Sequence, residues 1–127
     1  MENKLLFKSG SWAIGKQGKV AIIELGKVLS KNPDIAVLIE GHTDNVPFTS
    51  DGPISNNWDL STKRATSIIS ILSENNSINL ENLTAAGRSE YSPIDTNETK
   101  EGKAKNRRIE VILTPKLDEI SRLLNSK

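Results

Sequence analysis

Apolar positions along this chain fall into short runs of two periods. Residues 4 to 12, "KLLFKSGSW", carry an apolar triplet closed by Ser and Gly, which predicts a short strand. Residues 16 to 31 place Val20, Ile23, Leu25, Val28 and Leu29 mostly on one helical stripe, stopped by Asn32-Pro33. The unbroken run "IAVLI" at 35 to 39, flanked by turn residues, predicts a central strand buried on both faces. Residues 45 to 57, "NVPFTSDGPISNN", are crowded with turn formers and predict a loop. A second helix is expected to start at Asn57, a good capping residue, and to point Leu60, Ala65, Ile68, Ile69 and Leu72 inward.

The second half continues the alternation. "LTAAG" at 83 to 87 predicts a third strand, and the polar stretch 88 to 106 an ordered surface connection with a helical turn. In "RRIEVILTP" the residues Ile109, Val111 and Leu113 alternate with Arg108, Glu110 and Ile112, the period of a strand, which Pro115 ends. Leu117, Ile120, Leu123 and Leu124 then recur at helical spacing, so a C-terminal helix over about 116 to 126 would pack on the sheet or on a second copy, leaving a homodimer open. The order βαβαβ(α)β predicts an α/β sandwich, a mixed sheet of about four strands covered by helices. At 127 residues, a single domain accounts for the whole chain.

Charge and composition narrow the chemistry. A net charge of +1, from 17 basic and 16 acidic residues, offers no field for nucleic acid or an anionic membrane. The absence of cysteine excludes thiol catalysis, disulfides and thiolate zinc sites. No apolar run approaches the roughly 20 residues of a membrane span, so this segment does not cross a bilayer as a helix.

Two charged residues stand out. Arg64 lies four residues after Leu60 and four before Ile68, on an otherwise apolar helix face, so its guanidinium needs a partner. A structural ion pair, or snorkelling to solvent, is the plain reading. Asp44 sits just past the carboxyl end of the buried strand, where α/β sheets gather ligand-binding residues. An acid and an arginine facing one crevice suit a zwitterion, with ammonium on the carboxylate and carboxylate on the guanidinium, and hence an amino acid or the amino-acid end of something larger.

The runs "IEGHTDNVP", "SNNWDLSTKRA" and "AAGRSEYSPIDTNETKEGKAKNRRIEVIL" carry the patterns GHTDN, N-x-x-LS-x-x-RA, G-x-(S/G)-E-x-x-P and N-x-T-x-EG-x-A-x-NRR. In these the chain resembles the peptidoglycan-binding domain of the OmpA/MotB family, over roughly residues 5 to 114. The resemblance implies a noncatalytic domain, without cofactor or metal, that holds the diaminopimelate of the wall's stem peptide on the periplasmic face of the envelope. By position, Asp44 would take the ligand's ammonium and Arg64 its carboxylate, with support from Thr43 and Asn45, from Asn57, Leu60 and Ser61, and from Asn106 and Arg107. Arg107 shares the parity of Ile109 and Val111, which brings it within reach of the site.

The insert "VPFTSDGPIS" before "NNWDLS" is nearer the flagellar stator branch, whereas the C-terminal helix resembles the tails of outer-membrane proteins and lipoproteins. The expectation is an outer-membrane or lipoprotein anchor preceding this domain, with a stator and a free amino-acid sensor as alternatives. His42, the lone histidine, with Asp44 and Ser50 or Ser55 lacks any nucleophile-elbow signature, and one histidine among scattered acids makes no ligand cluster, so His42 is expected to shape the loop.

Overall fold

The computed structural model describes residues 5–115. In chain order these form β1 (Leu5–Leu6), α1 (Lys16–Ser30), β2 (Ile35–Gly41), α2 (Asn57–Leu72), a 3-10 turn (Leu80–Asn82), β3 (Leu83–Gly87), α3 (Lys100–Asn106) and β4 (Arg108–Pro115). The sheet order is β1-β4-β2-β3. β2 runs parallel to β3 and antiparallel to β4, and β1 is antiparallel to β4, so the sheet is mixed as the element order implies. The C-terminal helix expected at 116 to 126 lies outside the described residues.

The core is built from Phe7, Ile22, Leu29, Val37, Ile39, Ala65, Ile68, Leu72, Ile78 and Ile109. Val37 and Ile39 are buried beneath the helices, while Ala36 and Leu38 on the other face are only half-buried. Among the described residues, β2 is therefore covered fully on one face, and the expectation of burial on both does not hold. The α1 stripe also differs from expectation: Ile22, Gly26 and Leu29 point inward at a helical repeat, and Val20, Ile23 and Val28 are exposed. Gly26 faces Ile78 and Leu72 across this packing. In β4 only Arg108 and Ile109 are buried, whereas Val111 and Leu113 are exposed. Among the described residues β1 pairs with those two positions.

Helix α2 is seated against the carboxyl ends of β2 and β3 by two glycines. A Cβ on Gly41 would overlap the Ser61 carbonyl, and one on Gly87 the Thr62 side chain. This brings the first turns of α2 down onto the loop that follows β2. Asn56, not Asn57, is the N-cap, its side chain accepting from Asp59 N at 2.8 Å. That shift by one residue frees the Asn57 amide for another task.

Candidate functional site

The chain leaves β2 at Gly41 and stays tied to its neighbours for two more residues. His42 N donates to Arg108 O at 2.9 Å and Thr43 N to Ser89 O at 2.9 Å. Ser89 adopts φ 53, and its N–H donates to Ser61 Oγ at 3.0 Å. Thr43 Oγ donates to Asp44 O at 2.8 Å, and Asp44 Oδ1 accepts from Val46 N at 3.0 Å, an Asx-type turn. Asp44 is held nearly out of water at 4% exposure. Its direct counter-ion is Arg107, whose Nη1 lies 2.8 Å from Oδ2.

Arg64 is fully buried, at 0% exposure, and its partners are main-chain carbonyls. Nε donates to Ser11 O (2.8 Å), Nη1 to His42 O (2.8 Å) and Nη2 to Lys8 O (3.1 Å), while the guanidinium carbon stands 4.8 Å from the centre of the Phe7 ring. Neither ion pairing nor snorkelling describes it. Three of its five N–H groups are engaged, leaving one on each terminal nitrogen. Burial lowers its pKa from the usual range to about 10, with Asp44 pulling it up and Arg107 pushing it down, so it stays cationic at neutral pH.

Arg64, Asp44 and Arg107 thus act on one another as one electrostatic group. Arg107 is the outer guanidinium: its side chain is 17% exposed, and Nε donates to Phe7 O at 2.7 Å. The segment after β1 thus supplies one carbonyl to Arg107 and two to Arg64, a contribution that no side-chain pattern carries.

Asn57 is nine-tenths buried beside this group. Its Nδ2 donates to Val46 O at 3.1 Å, which fixes Oδ1 as the remaining acceptor, and Oδ1 has no hydrogen-bond partner among the described residues. The other expected residues divide. Thr43 shapes the loop, Leu60 is core, and Ser61 bridges Trp58 O and Ser89 N. Asn45 is exposed at the loop. Asn106 is saturated, since Oδ1 accepts from Ile94 N and Asp95 N while Nδ2 donates to Asp95 O and Asn97 Oδ1, so it braces the 88–99 connection.

His42 turns its ring away from this group, onto the other sheet face. There Glu40, His42 and Glu110 bring ligand-type atoms within 4.8 Å of one another, a cluster that spacing along the sequence does not reveal. Each acid already faces a guanidinium, Glu40 that of Arg88 at 3.5 Å and Glu110 that of Arg108 at 2.7 Å, which neutralises the charge a dication would need. Among the described residues no nucleophile joins the ring: His42 Nε2 faces Glu40 Oε1 at 3.4 Å, and Ser55 Oγ donates instead to Asp59 at 3.0 Å. The arrangement is suited to holding charges in place and has no acid–base relay.

Residues 6–107 match the OmpA family. The chain is 35% identical to Motility protein B of Bacillus subtilis over 116 residues, 91% of this chain and 44% of that protein. It is 36% identical to Outer membrane protein Omp38 of Acinetobacter baumannii over 114 residues, 90% of this chain and 31% of that protein. The chain thus spans less than half the length of either relative. Among solved structures, the C-terminal domain of Helicobacter pylori MotB shares the fold, with a TM-score of 0.82 at 21% identity, covering 98% of this chain and 94% of that one. The cell wall anchor of the T6SS from Pseudomonas aeruginosa superposes with a TM-score of 0.73 at 32% identity, over 87% and 75% of the two chains.

Proposed function

The chain belongs to the OmpA family, and from that premise we propose that it is a noncatalytic domain that grips cell-wall peptidoglycan through the diaminopimelate of its stem peptide. The observation that carries this reading is the buried set of Asp44, Asn57 Oδ1, Arg64 and Arg107. A carboxylate is grouped with two guanidiniums, and Asn57, with its unpartnered amide oxygen, is tied to the same loop through Val46, which together complement a zwitterion. The ligand's ammonium takes Asp44 and Asn57 Oδ1. Its carboxylate takes the free N–H groups of Arg64, with Arg107 swinging from Asp44 at the mouth to admit it.

The wall-anchor name of the Pseudomonas relative supports the same reading. One zwitterion held by few contacts binds weakly, about micromolar to millimolar, because ordering and desolvation consume much of the gross interaction. A wall that repeats the same end group makes such weak binding sufficient for a tethered domain. We place the full-length protein in the envelope, tethered to the outer membrane. An anchored motility protein is a second reading, favoured by the "SNNWDLS" run after the long loop and by the Motility protein B relative. The wall grip is common to both.

Sedimentation with purified wall sacculi tests the site. Wild-type protein should co-sediment, and Asp44→Asn, which keeps the shape but removes the charge, should remain in the supernatant with an unchanged circular dichroism spectrum. Walls carrying lysine in place of diaminopimelate should bind at least about tenfold less, since lysine lacks the second carboxylate. Equal sedimentation of the variant, or equal binding to both walls, would overturn the assignment.

A further inference from the structure

A pair of aromatic rings beside the proposed pocket has no role in the fold's core. Trp58, in the first turn of α2, is 53% exposed, and Tyr91, in the connection after β3, is 66% exposed. Their ring centroids lie 5.5 Å apart at an interplanar angle of 36°, so tertiary structure brings the two together and leaves their outer faces in water. Tryptophan is highly buried on average, and an exposed apolar patch rimmed by polar groups marks a binding groove. Here the rings share a groove with Phe48, Thr49, Asn57 and Glu90.

Asn57 makes this groove continuous with the pocket. Its Oδ1 is the unpartnered acceptor assigned above, and its Nδ2 holds the carbonyl of Val46, whose N–H is bonded to Asp44. Through Asn57 and Val46 the groove of the rings adjoins the turn that holds Asp44. Resting on the wall-binding reading, we propose that Trp58 and Tyr91 form a second subsite that takes the amino sugar to which the stem peptide is attached. A pyranose ring has an apolar C–H face for the aromatic surface and a hydroxyl edge for Thr49 and Glu90. Rigid Trp and Tyr rings offer that area at little entropic cost. Attachment of the stem peptide converts the sugar's acidic substituent to an amide, so Glu90 meets a neutral ring.

Calorimetric titration with two probes tests the subsite: a tripeptide ending in diaminopimelate, and the same tripeptide carrying its N-acetylated disaccharide. The disaccharide form should bind about threefold to tenfold more tightly, the worth of an aromatic contact. Trp58→Ala should erase that gain while the tripeptide alone changes by less than about twofold, and Trp58→Phe should restore part of it. Equal affinity of the two probes for wild type, or a gain that survives Trp58→Ala, overturns the proposal. So does an equal loss for both probes in Trp58→Ala, which would give the rings to the peptide.

Failure of the pocket reading is seen separately, as a tripeptide that binds neither wild type nor Asp44→Asn. The subsite is then read from the neutral disaccharide of N-acetylglucosamine. A shift of the Trp58 indole N–H signal that is lost in Tyr91→Ala supports it, and no shift overturns it.

Discussion

Arg64 anchors the site from within. Replacing it by alanine leaves the carbonyls of Lys8, Ser11 and His42 without their donor and opens a void beneath Phe7. Arg64→Ala should therefore cost about 3 kcal/mol or more in urea unfolding, before any effect on ligand. Arg64→Lys keeps the charge but cannot reach three divergent carbonyls, and should recover only part of that loss. His42 gives a pH signature. Burial first, then the Arg108 guanidinium, lowers its pKa, against the opposing pull of Glu110 and Glu40. The unfolded chain then takes up a proton near pH 6.5 that the folded protein refuses. Stability should be insensitive to this group above that pH and should fall as pH drops below it. The urea midpoint of His42→Gln should change less between pH 7.5 and pH 5.5 than that of wild type.

At the scale of elements, function depends on how closely α2 meets the sheet. The glycines at the carboxyl ends of β2 and β3 have no room for a Cβ against Ser61 and Thr62. Gly41→Ala should push the start of α2 outward, costing about 1–3 kcal/mol in chemical denaturation and weakening wall binding, because Asn57 and Arg64 ride on that helix. Asn56→Ala should cost about 1 kcal/mol through the lost cap and should affect binding less, since Asn57 keeps its bond to Val46. Among the described residues the helices and strands were legible from periodicity, yet the one-sided burial of β2, the cap of α2 and the inward face of α1 were not. The cap fell on Asn56 because its side chain reaches Asp59 N, and α1 turned Ile22, Gly26 and Leu29 inward, with Gly26 facing Ile78 and Leu72. The cap is a local choice between adjacent asparagines, whereas the inward face of α1 meets Ile78, far along the chain.

For the whole molecule, the proposed charge-based grip, weak in any single contact, relies on repetition. Two copies joined by a short flexible linker should retain sacculi at least about tenfold better than one, while each copy binds soluble stem peptide as before. A domain that gripped its ligand tightly in a single event would show no such gain. The division between sequence and structure follows the same line. The sequence alone determined the order of strands and helices, Asp44 at the end of the central strand and Arg64 on the inner face of α2, because hydrophobic period and local motifs are written in neighbouring residues. Only the tertiary structure decided that Arg107 is the direct partner of Asp44, that Arg64 is gripped by carbonyls from residues 8, 11 and 42, and that Trp58 meets Tyr91. Main-chain carbonyls carry no side-chain signature, and contacts across the fold depend on how α2 docks onto the sheet, which no single stretch of sequence encodes.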